Sequence, residues 1–179
     1  MDLRLTSTAQ AGPASRASCS ESPNSAARLG AEAKALLAGG EIDAYRSLFT
    51  SARQLEEPNR CYHAQVVLLE RGLAAANSLP SDRAATLLLA VADAAVQVLE
   101  AQPCEPVVLN YAAIALYDLS NLDAARALYE PWSLDAARAL FEAALRLDPS
   151  LPNVRQNLAA VQSRRRRRPS LQPASRLLL

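Results

Sequence analysis

Residues 122–130 read LDAARALYE and residues 134–142 read LDAARALFE, one phrase written twice at an offset of twelve. No other feature constrains the fold as tightly. Ala, Leu and Arg have high helix propensity, and the phrase contains neither glycine nor a β-branched residue. At about 100° per residue, twelve residues turn the face of the second copy by about 120°. In one continuous helix the two copies therefore cannot face the same neighbour. Pro131 lies between them, lacks an amide donor and disfavours helix at Glu130. This predicts a first copy of about two turns ending near Glu130, then a new helix from Leu134 capped by Ser133.

The second copy is the stronger claimant to a packed position. Only it completes the series Ala137, Phe141, Ala144 and ends in Asp148-Pro149, whereas the first copy has Trp132 where the second has Ala144. Its outer face carries Asp135, Arg138, Glu142 and Arg146 at spacings of three, four and four, pairs worth roughly 0.2 to 0.5 kcal/mol each.

The rest of the chain agrees with a helical class. Of 179 residues half are hydrophobic, only 4% are aromatic, and 5 are glycine, a balance that suits packed Ala- and Leu-rich helices in one domain. Residues 1–26 lack periodicity and are expected to be disordered. A helical domain is expected over 27–163, and an Arg-rich disordered tail over 164–179. Gly39-Gly40, the LEEPNR and NSLPSD segments, AQPCEP and DPSLPN punctuate the domain into helices, with Ser81 a candidate cap. The sixteen residues Ala84–Leu99 are apolar except for a stripe of Thr86, Asp93 and Gln97 that continues to Glu100. They fall short of a membrane span and predict the buried centre of the domain.

Residues 106–162 resemble the tetratricopeptide repeat (TPR), a 34-residue helix pair with bulky and small residues at fixed places. Leu109, Ala112, Ala113 and Leu116 match its first helix; Ala137, Phe141, Ala144 and Pro149 match its second. Arg155, Leu158, Ala159 and Gln162 match the next first helix. Leu109 replaces the family's Trp, and Ala113 its Gly. Leu109 and Arg155 are 46 residues apart, and removing one twelve-residue copy restores the period of 34. Upstream, Leu29, Ala33, Leu36, Phe49 and Ala52 match more loosely, with Tyr45 where a small Ala is usual and Pro58 one residue late. The resemblance implies an all-α antiparallel helix-hairpin solenoid of about three helix pairs plus a C-terminal solvating helix. Small residues at Ala113, Ala137, Ala144 and Ala159 would let the helices cross closely.

The resemblance also implies a function: a non-catalytic scaffold or adaptor that holds a peptide or partner helix, of unknown identity, on a concave face made by first helices. Val107, Asn110, Ile114 and Tyr117 share one helical face, continued by Asn153, Gln156 and Ala160. The family's carboxylate-gripping clamp is not matched, because Ile114 stands where it needs Asn and Lys34 is the sole lysine. A second reading makes the chain an accessory or truncated part of a bacterial glycosyltransferase- or methyltransferase-type enzyme. A third is an adaptor tethered to nucleic acid or anionic membrane through Arg164, Arg165, Arg166, Arg167 and Arg168. That reading is not favoured, since no aromatics interleave with the arginines for base stacking; the run also suits the negative end of the last helix.

Net charge is +1, so no global field draws the molecule to polyanions. Cys19, Cys61 and Cys104 form no Cys-x-x-Cys pair and imply neither zinc nor a disulfide framework. His63 lies two residues from Cys61, a spacing that points them to different faces of a helix, so both read as structural. No pattern implies a cofactor, a metal or a small-molecule substrate. The start lacks the apolar run of a secretory signal, which leaves a cytoplasmic location expected and an organelle transit peptide compatible with the Ser-, Ala- and Thr-rich composition.

Overall fold

The computed structural model describes residues 23–56 and 62–166, and every regular element among them is an α-helix. In order these are α1 (Pro23–Gly39), α2 (Ile42–Glu56), α3 (His63–Ala76), α4 (Ser81–Ala101), α5 (Pro106–Asn121), α6 (Asp123–Leu147) and α7 (Val154–Arg166). Each helix makes backbone contact with the next and the next but one, and no described pair farther apart in order does so. The α5–α6 contact is the most extensive. The single residue Leu122 joins those two helices.

The turns follow from local chemistry. Gly40 has φ +75°, a conformation that costs an ordinary residue about 1–2 kcal/mol. Its amide donates to Leu37 O at 3.1 Å and that of Glu41 to Leu36 O at 2.9 Å, the paired bonds of a Schellman ending. Arg83 of α4 donates to the Gly40 carbonyl at 2.7 Å and fills the space a side chain there would need. The start of α3 has no cap from Tyr62. Instead the buried Glu56, last residue of α2, accepts from the amides of Ala64 at 2.5 Å and Gln65 at 3.2 Å. Burial raises the Glu56 pKa, and these bonds offset that in part. Between α6 and α7, Ser150 donates through its hydroxyl and amide to Asp148, which holds that carboxyl below the usual range.

Close approach needs small residues at particular points. Tyr45 is fully buried, donates to Leu68 O at 2.7 Å and meets Phe49 edge-on with centroids 5.4 Å apart. Gly72 gives it room: a Cβ there would collide with the Tyr45 hydroxyl and come within 2.5 Å of Val91. A Cβ at Gly30 of α1 would sit 2.8 Å from Val67 of α3. Farther on, Ala113, Ala137, Phe141 and Ala144 are wholly enclosed, as the repeated pattern predicts for the second copy.

Several expectations are corrected. The buried centre is α5, not α4: eleven of the 16 residues of α5 are buried, against eight of the 21 in α4. Helix α4 leaves Asp93, Val96, Gln97 and Glu100 exposed. It spans 21 residues and is long and apolar enough, by length and composition alone, to cross a membrane; here its inner face packs on the body. The break at Pro131 is absent, since α6 is one helix of 25 residues. Pro131 removes one intrahelical bond, a cost of about 3 kcal/mol, while the reversal at Leu122 and the docking of Leu134, Ala137, Phe141 and Ala144 fix the helix on both sides. Helix α1 begins at Pro23, inside the segment expected to be disordered. Ser81 is the first residue of α4 and makes no capping bond, because Pro80 holds the N-cap position. Ala159 is exposed and marks no helix crossing. Helix α7 continues three residues past Ser163.

Candidate functional site

The residues expected to share a concave face do not form an open groove. Asn110, Ile114 and Tyr117 are buried and Val107 is half-buried, because neighbouring helices cover α5. A shared helical face identifies residues that point together, not whether another helix lies over them. Asn153, half-buried, serves the backbone instead: its φ of 63° lies in the left-handed region that Asn tolerates, and its carbonyl accepts from the Asn157 amide at 2.8 Å. Gln156 alone of the six is exposed.

A cleft of about 660 Å³ opens instead where α3, α4, α5 and α7 come together. Ala76, Asn77 and Leu79, at the end of α3, form one wall, and Ala84 and Leu88 of α4 extend it. Tyr117, Asp118, Asn121 and Leu122 contribute from the end of α5; Ala160, Ser163 and Arg164 come from α7. Only Tyr117 belongs to both the expected face and the cleft; Ala160, placed on the continuation of that face, also lines it. Asn77, Asn121 and Ser163 are exposed, whereas Leu88 and Ala84 are buried, so an apolar floor meets a rim of amides and a hydroxyl.

Arg164 fixes one edge. Its guanidinium donates to Ser120 O at 2.6 Å and lies 5.8 Å from the centre of the Tyr117 ring. Ser120 Oγ donates to Tyr117 O at 2.6 Å. A cation at the carbonyl end of α5 is favoured by the helix dipole, and its position over an aromatic face adds about 0.5–1 kcal/mol. This corrects the assignment of Arg164 to a solvated tail: it ties α7 to α5. Arg166 is exposed at the end of α7, and Arg167 and Arg168 lie outside the described residues.

The chemistry-bearing side chains elsewhere do not converge. His63 is exposed at the first position of α3, not enclosed as a structural histidine would be. Cys104 is exposed and free; Cys19 and Cys61 lie outside the described residues. Among the described residues no three His, Cys, Asp or Glu side chains are grouped to hold a metal. Tyr111 of α5 is buried and near Glu70, and its hydroxyl pKa is raised to about 12, chiefly by burial; it serves the core.

The cleft was missed because its residues sit at helix ends and turns far apart in the chain. The only signal was the Asn, Ser and Pro punctuation around residues 77–81 and 120–122. Comparisons with protein-family models, curated proteins and solved structures gave no match to this chain.

Proposed function

We propose that the chain is a TPR-like solenoid scaffold, without chemistry of its own, that holds a short peptide or partner helix in the α3–α4–α5–α7 cleft. The observation that carries this reading is the cleft itself: an apolar floor with an amide-bearing rim suits apolar anchors and a peptide backbone. Contacts limited to the next and next-but-one helix are those of a stack in which each repeat touches only its neighbours. In that register α1, α3, α5 and α7 are first helices, and three of them line the cleft. The exposed Arg155 and Gln156 on α7 suit a solvating end helix.

Selection of a random peptide library against the intact chain tests the reading. Enriched peptides should bind, and Asn121→Trp with Ser163→Trp, which fill the cleft from its exposed rim, should weaken binding at least tenfold with unchanged helical circular dichroism. Failure to enrich any peptide, or binding indifferent to both substitutions, would overturn it.

A further inference from the structure

We infer that residues 169–179 of the same chain fold back into this cleft, so that the scaffold carries its own competing ligand. The inference rests on the peptide-binding reading above and names one occupant for the site.

Geometry comes first. Ala160, Ser163 and Arg164 of α7 line the cleft, and α7 ends at Arg166, so the chain leaves the described body two residues past the cleft wall. The following 13 residues of sequence, 167–179, reach about 40 Å when extended. Helix α7, also 13 residues, is about 20 Å long. A reversal after Arg168 therefore leaves ample length to run back along the cleft.

Composition fits the floor. Beyond the arginines the segment reads PSLQPASRLLL, in which Leu171 and Leu177–Leu179 are apolar anchors and nothing is acidic. Pro169 and Pro173 fix φ and disfavour continuation of the helix. They bias the segment toward the extended form that a groove accepts with less ordering entropy.

Charge favours return. Six of the 19 basic residues are Arg164–Arg168 and Arg176, and no acidic residue follows Asp148. Residues 1–166, which include all of α7, thus hold 16 basic against 18 acidic residues, a net −2, while residues 167–179 add Arg167, Arg168 and Arg176 and no acid. The near-neutral total conceals a weakly acidic body and a basic end, and Asp118 and Arg164 both line the cleft. Tethering supplies the rest: a short linker gives an effective concentration on the order of millimolar, which suffices for weak anchors.

The test places a photo-reactive residue in the full chain, Ser175→p-benzoylphenylalanine, and maps cross-links by mass spectrometry. Cross-links within one chain to residues 77–79, 121 or 160–163, unchanged on dilution, are expected. The triple change Leu177→Asp, Leu178→Asp and Leu179→Asp should abolish them and raise the affinity for a library-selected peptide at least tenfold. Cross-links that miss the cleft, or that join two chains and fade on dilution, overturn the inference. If a selected peptide still binds the cleft while the cross-links miss it, the tail inference fails and the scaffold reading stands. Cleft cross-links with no peptide binding in the triple variant would fail the scaffold reading alone.

Discussion

Tyr45 is enclosed because Gly72 has no side chain: the phenol hydroxyl rests over that glycine on its way to the Leu68 carbonyl. A bulky residue in α2 and an absent one in α3 are therefore one packing solution. Gly72→Ala should destabilise the protein by about 1–3 kcal/mol through overpacking, and Tyr45→Phe by about 1 kcal/mol through the lost bond. Removing the hydroxyl relieves the collision, so the double variant should lose less than the two single losses summed. Urea unfolding of all four proteins measures the coupling; strict additivity would show that the two residues do not share this space.

Asn157 of α7 is 1% exposed, and neither its Oδ1 nor its Nδ2 finds a protein partner. A buried amide without partners carries its full desolvation penalty. Asn157→Leu, of similar size, should stabilise the fold by about 1–2 kcal/mol, whereas Asn157→Ala opens a void. A lower melting temperature for the Leu variant would count against this account.

Glu56 makes stability depend on pH in a stated direction. Its pKa is raised above the ordinary 4.5, so the folded state holds the proton more tightly than the unfolded state. That contribution is complete below 4.5 and is lost as pH rises through the raised value. The unfolding free energy of the native protein minus that of Glu56→Gln should accordingly fall as pH climbs from about 4. Chemical denaturation at several pH values reads this difference, and a rise would reverse the assignment.

Pro131 lies inside α6 with no amide to donate. Pro131→Ala restores the missing bond and should stabilise the protein by up to about 3 kcal/mol. It should leave the anchoring face of Leu134, Ala137, Phe141 and Ala144 in place. Melting temperature checks the first part, and slow amide exchange around Ala137–Ala144 checks the second. No gain in stability would mean that the helix does not run through Pro131.

Much of the helix order was legible because Gly39-Gly40, Pro80, Pro103 and Asp148-Pro149 interrupt periodicity where the chain turns. The continuity of α6 was not. The rule against an interior proline weighs one bond, and it cannot weigh the docking of a helix fixed at both ends. The centre of the domain was misplaced for a related reason. Helices α4 and α5 are both apolar, but only the burial of their side chains shows that α5 is enclosed while α4 faces outward at Val96. Of the candidate site, Tyr117 and Ala160 carried over. Asn77 and Asn121 lie at the ends of α3 and α5 and Ser163 lies in the last turn of α7, and no periodicity joins them.

The reach of each helix, two places along the chain and no farther, also contains damage. The repeated phrase lies within α6, which touches only α4, α5 and α7, so a change of length there would leave the contacts among the first three helices untouched. A globule whose ends interlock would have to re-solve its whole interior after such an event. Contacts that reach only two places along the chain can absorb such a change at one site, and that makes room for a stuttered phrase in the middle of a folded chain.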